Sequence, residues 1–243
     1  MNDILYGKKW AVCGDSFSAG DFTNALDFDY TIADGIYAGE NKVYGYIIGN
    51  RNNMKIQNLA KCGRTMATPA DGTFSNAFSN EIYKTIDADV DYITLYFGIN
   101  DSHHRDKFTG SDGEDQTGII TLGTIEDTDI STFYGAWNVV MEYLITNYPY
   151  AHIGIIVSNG CETSDYPEAE IAIAKKWGVP YIDLNGDERT PAMIRSTNQN
   201  ICAAARELRT QAYAVNYYGK NKHPSAKAHE YQSDFIETWL RSI

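Results

Sequence analysis

No run of apolar residues in this chain approaches the ~20 that a bilayer-crossing helix needs, so a membrane partner is not expected. The opening residues Met1-Asn2-Asp3-Ile4-Leu5-Tyr6 have no signal-peptide core, and the expectation is a soluble, unexported chain, cytoplasmic by default. Basic residues are scarce: 20 Lys and Arg stand against 32 Asp and Glu, a net charge of −12. Nucleic-acid affinity comes largely from neutralising phosphates with Lys and Arg, so this balance argues against a nucleic-acid partner. A neutral or cationic small molecule suits it better.

Cysteine is scarce too. Cys13, Cys62, Cys161 and Cys202 have no C-x-x-C spacing and are too few to staple a chain of 243 residues. Buried thiols are the expectation, with a Cys13–Cys62 bridge as the lesser alternative. Of the five histidines, His103 and His104 are neighbours in a loop beside Asp101 and Asp106. Adjacent residues in a loop point apart and no helical His-x-x-x-His pair supports them, so neither a metal nor another cofactor is expected. His152 and His229 read as structural. Also missing are Pro/Ser-rich linkers, low-complexity tracts and repeats, and the length suits one α/β domain over residues 1–243, since such cores run to roughly 250 residues.

Five apolar runs read as strands covered on both faces: Lys9 to Cys13, Lys55 to Ala60, Tyr92 to Phe97, His152 to Ser158 and Pro180 to Leu184. Helical patterns separate them. Phe133, Ala136, Trp137, Val140, Met141, Leu144, Ile145 and Tyr148 recur at steps of three and four until Pro149 ends the helix. Shorter helices are expected over Val43 to Gly49 and Asn80 to Ile86, and a longer one over Tyr166 to Trp177, with Pro167 in its first turn and Gly178 beyond its end. After Pro224, a stripe of Ala228, Tyr231, Phe235, Ile236, Trp239 and Leu240 marks the last helix. Alternating strands and helices imply a parallel five-stranded sheet in a flavodoxin-like, three-layer α/β/α sandwich.

Ligands bind such sheets at the carboxyl ends of the strands. Ser16 follows the first strand by three residues, Gly63 the second and Asn100 the third, so all three reach one edge. A serine hydroxyl needs a base to become a nucleophile, and the oxyanion it generates needs fixed donors. Ser16 fits the nucleophile; its own N–H, the N–H of Gly63 and the amide of Asn100 fit the donors; His223 fits the base. Each piece has a plainer reading: Gly-Asp-Ser is a common turn, Gly-x-Asn-Asp an ordinary loop, and His223 could simply precede a helix capped by Ser225. Their order on one edge is what favours chemistry.

In these segments the chain resembles the SGNH hydrolases, or GDSL esterase/lipase family, over nearly its whole length. Gly14-Asp15-Ser16-Phe17-Ser18 resembles the family's first block, Asn58 to Thr65 its second, Gly98-Ile99-Asn100-Asp101 its third and His223-Pro224-Ser225 its fifth. The resemblance implies an acyl hydrolase with Ser16 as nucleophile, Gly63 and Asn100 lining the oxyanion hole and His223 as general base. The family's Asp three residues before the His is replaced by Lys220. Either a backbone carbonyl holds the ring or another acid reaches in, with Asp183 and Asp187 the sequence-nearest candidates.

Three long stretches without strong periodicity, 21–42, 102–130 and 185–222, are expected to shape the site. The first two are acidic and carry Tyr30, Tyr37 and Phe108, which favours a small polar or carbohydrate ester over a lipid chain. The alternatives are a thioesterase or lysophospholipase with the same machinery, a flavodoxin-like module holding a flavin phosphate at Ser16, Ser18 and Thr23, or a non-catalytic carbohydrate-binding protein.

Overall fold

The computed structural model of the chain describes residues 3–23, 25, 32–33, 36–37, 42–69, 76–104, 108–109, 115–116, 120–158, 165–184, 204, 207–208, 211–219 and 221–243. In chain order its elements are β1 (Lys9–Gly14), α1 (Ser16–Ala19), β2 (Ile32–Ala33), β3 (Ile36–Tyr37), α2 (Tyr44–Arg51), β4 (Lys55–Asn58), a 3₁₀ turn (Ile82–Thr85) and β5 (Tyr92–Tyr96). There follow α3 (Ile99–His103), β6 (Phe108–Thr109), β7 (Asp115–Gln116), α4 (Phe133–Asn147), β8 (His152–Val157), α5 (Asp165–Trp177), β9 (Tyr181–Asp183), β10 (Ala214–Asn216), β11 (Asn221–Pro224) and α6 (Ala226–Leu240).

The five expected strands form one sheet in the order β4-β1-β5-β8-β9, every neighbouring pair parallel. Connection direction reverses at β1, and sheets of this kind bind ligands at such a switch point, beyond the carboxyl ends of β1 and β5. Alternation along each strand divides the core. In β1 and β5, Ala11, Cys13, Ile93 and Leu95 face α4 and α5 through Trp137, Val140, Met141, Ile173 and Ala174. Trp10, Val12, Tyr92 and Tyr96 face α2 and α6 through Tyr44, Ile48, Ile236, Trp239 and Leu240. Both faces are covered, which is why these strands read as unbroken apolar runs; each large apolar side chain so buried stabilises by roughly 1.5–3 kcal/mol.

The helices start where side chains satisfy their free amides. Thr132 accepts from the Gly135 N–H at the head of α4, and Ser225 accepts from the Ala228 N–H at the head of α6. The expected helix at 80–86 is instead the 3₁₀ turn, because Glu81 sits at φ +68°, outside any right-handed helix. Strand β4 stops at Asn58, two residues short of the expectation: its side-chain oxygen takes the Ala60 N–H at 2.9 Å and turns the chain. Cys13 is a buried thiol and no disulfide joins it to Cys62; Cys161 and Cys202 lie outside the described residues. Among the described residues no helix is long and apolar enough to cross a membrane.

Candidate active site

The first loop delivers Ser16 at the carboxyl end of β1. Asp15 caps the single turn of α1, its side-chain oxygen accepting from the Phe17 N–H at 2.8 Å while its carbonyl takes the N–H groups of Ser18 and Ala19. Ser16 is therefore the first helical residue, on a sharp strand-to-helix corner. The corner requires glycine at position 14, where a Cβ would stand 2.4 Å from Ser18 Oγ and 2.9 Å from the Tyr96 carbonyl oxygen. Ser18 is held in turn by Tyr44 Oη at 2.9 Å. Asp15 is buried, and burial pushes its carboxyl up to about 8, outweighing the Phe17 N–H, which favours the ionised form.

The second and third loops are stitched to the first. Lys61 N–H donates to the Gly14 carbonyl at 3.1 Å, bringing the turn that contains Gly63, at φ +73°, alongside the Ser16 corner. Among the described residues, nothing lies within 4 Å of where a Cβ on Gly63 would stand. Asn100, on α3, donates through Nδ2 to the Arg64 carbonyl at 3.0 Å, which uses one of its two hydrogens and leaves the other. Its neighbour Asp101 accepts from the Met66 and Ala67 N–H groups at 2.9–3.1 Å. Burial pushes Asp101 up to about 6 against those amide hydrogen bonds. Arg64 completes the brace, donating to the carbonyls of Asn76 and Leu59.

Below α3 the fit is tight. Gly98 has φ +116°, and a Cβ there would lie 2.7 Å from Ser158 Oγ and 2.9 Å from Glu170 Oε1. Glu170, on α5, accepts from the Ser158 N–H at 2.7 Å, and burial holds its carboxyl well above the usual carboxylate range.

His223 arrives from the far end of the chain on the β10–β11 hairpin. Its Nε2 lies 2.8 Å from Ser16 Oγ. Its Nδ1 lies 2.8 Å from Asn221 Oδ1, which also accepts the His223 backbone N–H at 3.1 Å. Asn221 Nδ2 donates to the Thr23 carbonyl at 2.7 Å, and this assigns its oxygen to the imidazole side. An amide oxygen only accepts, so Nδ1 carries the proton and the Nε2 lone pair faces the serine hydroxyl. Phe17 meets the imidazole edge-on, ring centres 5.5 Å apart. Asp21 Oδ2 stands 3.6 Å from Nδ1. Burial draws the imidazole below its ordinary pKa; Asp21 opposes this and His103 adds to it.

Among the described residues the partner of His223 Nδ1 is thus Asn221 and not the expected Asp183. Asp183 closes β9, the edge strand, three strand spacings or roughly 14 Å across the sheet from β1, and the space at Nδ1 is filled by Asn221. Asp187 and Lys220 lie outside the described residues. Of the four expected site residues, Ser16 and His223 are in hydrogen-bond contact, while Gly63 and Asn100 are joined through Arg64. Asn221 and Asp21 were not anticipated. The available signal was an Asn two residues before the His, where an Asx-type contact to the backbone N–H is expected.

No family model matches the chain, and no curated protein matches it. Solved structures do. The chain is similar to a protein from Lactobacillus plantarum at 23% identity, with 98% of each chain covered and a TM-score of 0.65. A Bacteroides ovatus protein described as a GDSL-like lipase aligns over 98% of this chain and 99% of its own, with 17% identity and a TM-score of 0.60. A family two carbohydrate esterase from Clostridium thermocellum, solved in complex with cellohexaose, aligns over 98% of this chain and 64% of its own, with 12% identity and a TM-score of 0.60. The chain has the SGNH-hydrolase fold. Within that SGNH fold, the loops after β1, β4 and β5 and the β10–β11 hairpin carry the four segments whose sequences resemble the family's blocks. These similarities stand on architecture, since identity stays below 25%.

Proposed function

We propose that the chain is a serine ester hydrolase that removes O-acyl groups from a small polar or carbohydrate ester through an acyl-enzyme intermediate. The observation that carries this reading is the 2.8 Å contact between Ser16 Oγ and an imidazole nitrogen whose lone pair faces it. Oγ attacks the acyl carbonyl carbon while Nε2 takes its proton. The resulting oxyanion is met by the N–H groups of Ser16 and Gly63 and by the second hydrogen of Asn100 Nδ2. Collapse expels the alcohol, which takes its proton from Nε2. Water then attacks the acyl-serine, with Nε2 again as base, and releases the carboxylic acid with Ser16 restored.

Support for a polar substrate comes from the acidic, aromatic composition of 21–42 and 102–130, although Tyr30 lies outside the described residues and of Tyr37 and Phe108 only the backbone strand is described. The cellohexaose complex of the carbohydrate esterase favours the same substrate class. A fluorophosphonate probe should label Ser16, and short-chain nitrophenyl esters and acetylated sugars should be cleaved in preference to long-chain esters. A preference for long acyl chains or thioesters would redirect the assignment to a lysophospholipase or thioesterase; absence of labelling would remove the hydrolase reading.

Asn100→Ala should lower kcat by roughly a hundredfold or more with little change in KM, because its amide serves charge that develops only in the transition state. Steady-state kinetics on a short-chain nitrophenyl ester would read this, and an unchanged kcat would take Asn100 out of the oxyanion hole.

A further inference from the structure

Resting on the hydrolase reading, we infer that Asn221 and Asp21 together take the place of an orienting acid, in a relay where Asn221 hydrogen-bonds the His223 ring directly and Asp21 faces the same nitrogen as its charge. The family pattern places a carboxylate three residues before the histidine; this chain has Lys220 there, yet the ring is held. Asn221 Oδ1 receives both the backbone N–H and the ring Nδ1–H of His223, fixing the imidazole against its own strand. Nδ2 is spoken for by the Thr23 carbonyl at 2.7 Å, with the Asp21 carbonyl and Oδ1 further off at 3.4 and 3.5 Å. The amide cannot turn over without losing those partners. A freely rotating amide could present its NH₂ to Nδ1 and select the wrong tautomer; a clamped one selects the productive tautomer.

The charge comes from the loop that follows Ser16. Asp21 is itself oriented, its Oδ1 accepting from the Thr23 N–H at 3.0 Å, which leaves Oδ2 toward Nδ1 at 3.6 Å. At that distance it is an ion-pair partner for the imidazolium formed during attack, while Asn221 keeps the direct hydrogen bond. Among the described residues the other charged group that acts on His223 is His103, which opposes its protonation, while His223 itself acts on the buried His229. Asp21 is thus the anion at this ring among the described residues. Asn221 and Asp21 are positioning residues: they act on the substrate through His223.

Three variants separate this relay from a merely structural role. Asp21→Asn keeps the shape and removes the charge; it should lower kcat about tenfold or more and move the acid limb of kcat/KM to lower pH, because an imidazole without its anion protonates less readily. Asn221→Asp places a charge at the direct contact and should move that limb to higher pH while retaining turnover. Asn221→Ala should lower kcat roughly a hundredfold with KM little changed. The His223 imidazole titration, followed by NMR, should show the same opposite displacements in the two charge variants without requiring turnover. Coincident titrations in wild type, Asp21→Asn and Asn221→Asp would overturn the relay. Wild-type labelling of Ser16 alongside such coincidence would leave the hydrolase reading standing; displaced titrations without any labelling would uphold the relay and remove that reading instead.

Discussion

Ser16→Ala should reduce ester cleavage by a factor on the order of 10⁴ or more while the protein stays folded. The hydroxyl supplies the bond-forming atom, and nothing else at the corner can substitute for it. Asp15 would still cap α1 and Ser18 would still meet Tyr44, so the strand-to-helix turn keeps its supports. The Oγ contact to His223 is lost, and one hydrogen bond of this kind contributes about 1 kcal/mol. Turnover of a short-chain ester and the thermal midpoint should therefore part company: the first collapses and the second moves by a few degrees. Wild-type turnover in this variant would show that Ser16 is not the nucleophile.

The contrast between what was legible in the sequence and what was not follows from how local the determining physics is. Strands β1 and β5 were legible because both faces are covered, so Trp10 to Cys13 and Tyr92 to Tyr96 could carry almost no polar residue. Helix α4 was legible because one stripe must meet the sheet at every turn. The turn at Ile82–Thr85 imitates that stripe with Ile82, Tyr83 and Ile86, but Glu81 at positive φ settles its form, and backbone handedness leaves no mark on hydrophobic spacing. The hairpin that carries His223 has two strands of three and four residues, one ending in Pro224, with an irregular register, so no alternation betrays it.

At the site, the same division separates the residues. Ser16, Gly63 and Asn100 could be placed because each follows a strand closely and a parallel sheet puts all those ends together. Asn221 and Asp21 meet across 200 positions of chain, through contacts that depend on how two loops come to rest. The departure at Lys220 raised the question of what holds the ring, and the Asn two residues before the His was the local signal of the answer.

His223→Ala should be nearly as damaging as Ser16→Ala, and the pair replaced together should be no worse than either alone. The base matters only while there is a hydroxyl to deprotonate, and the hydroxyl is a weak nucleophile without the base, so the two free energies cannot add. What survives in all three variants is the contribution of the oxyanion donors and of substrate binding, which in comparable serine enzymes is about 10³–10⁴ over water. The geometry predicts a further asymmetry. His223 sits on a hairpin with its side chain mostly buried; its ring meets Phe17 edge-on and fills the space between Ser16 and Asn221, so its removal opens the site and should lower stability more than loss of the serine hydroxyl. Rates and thermal midpoints for the two single variants and the double variant test both statements. If the double variant's loss equals the product of the two single losses, Ser16 and His223 act independently, and the contact between them is packing.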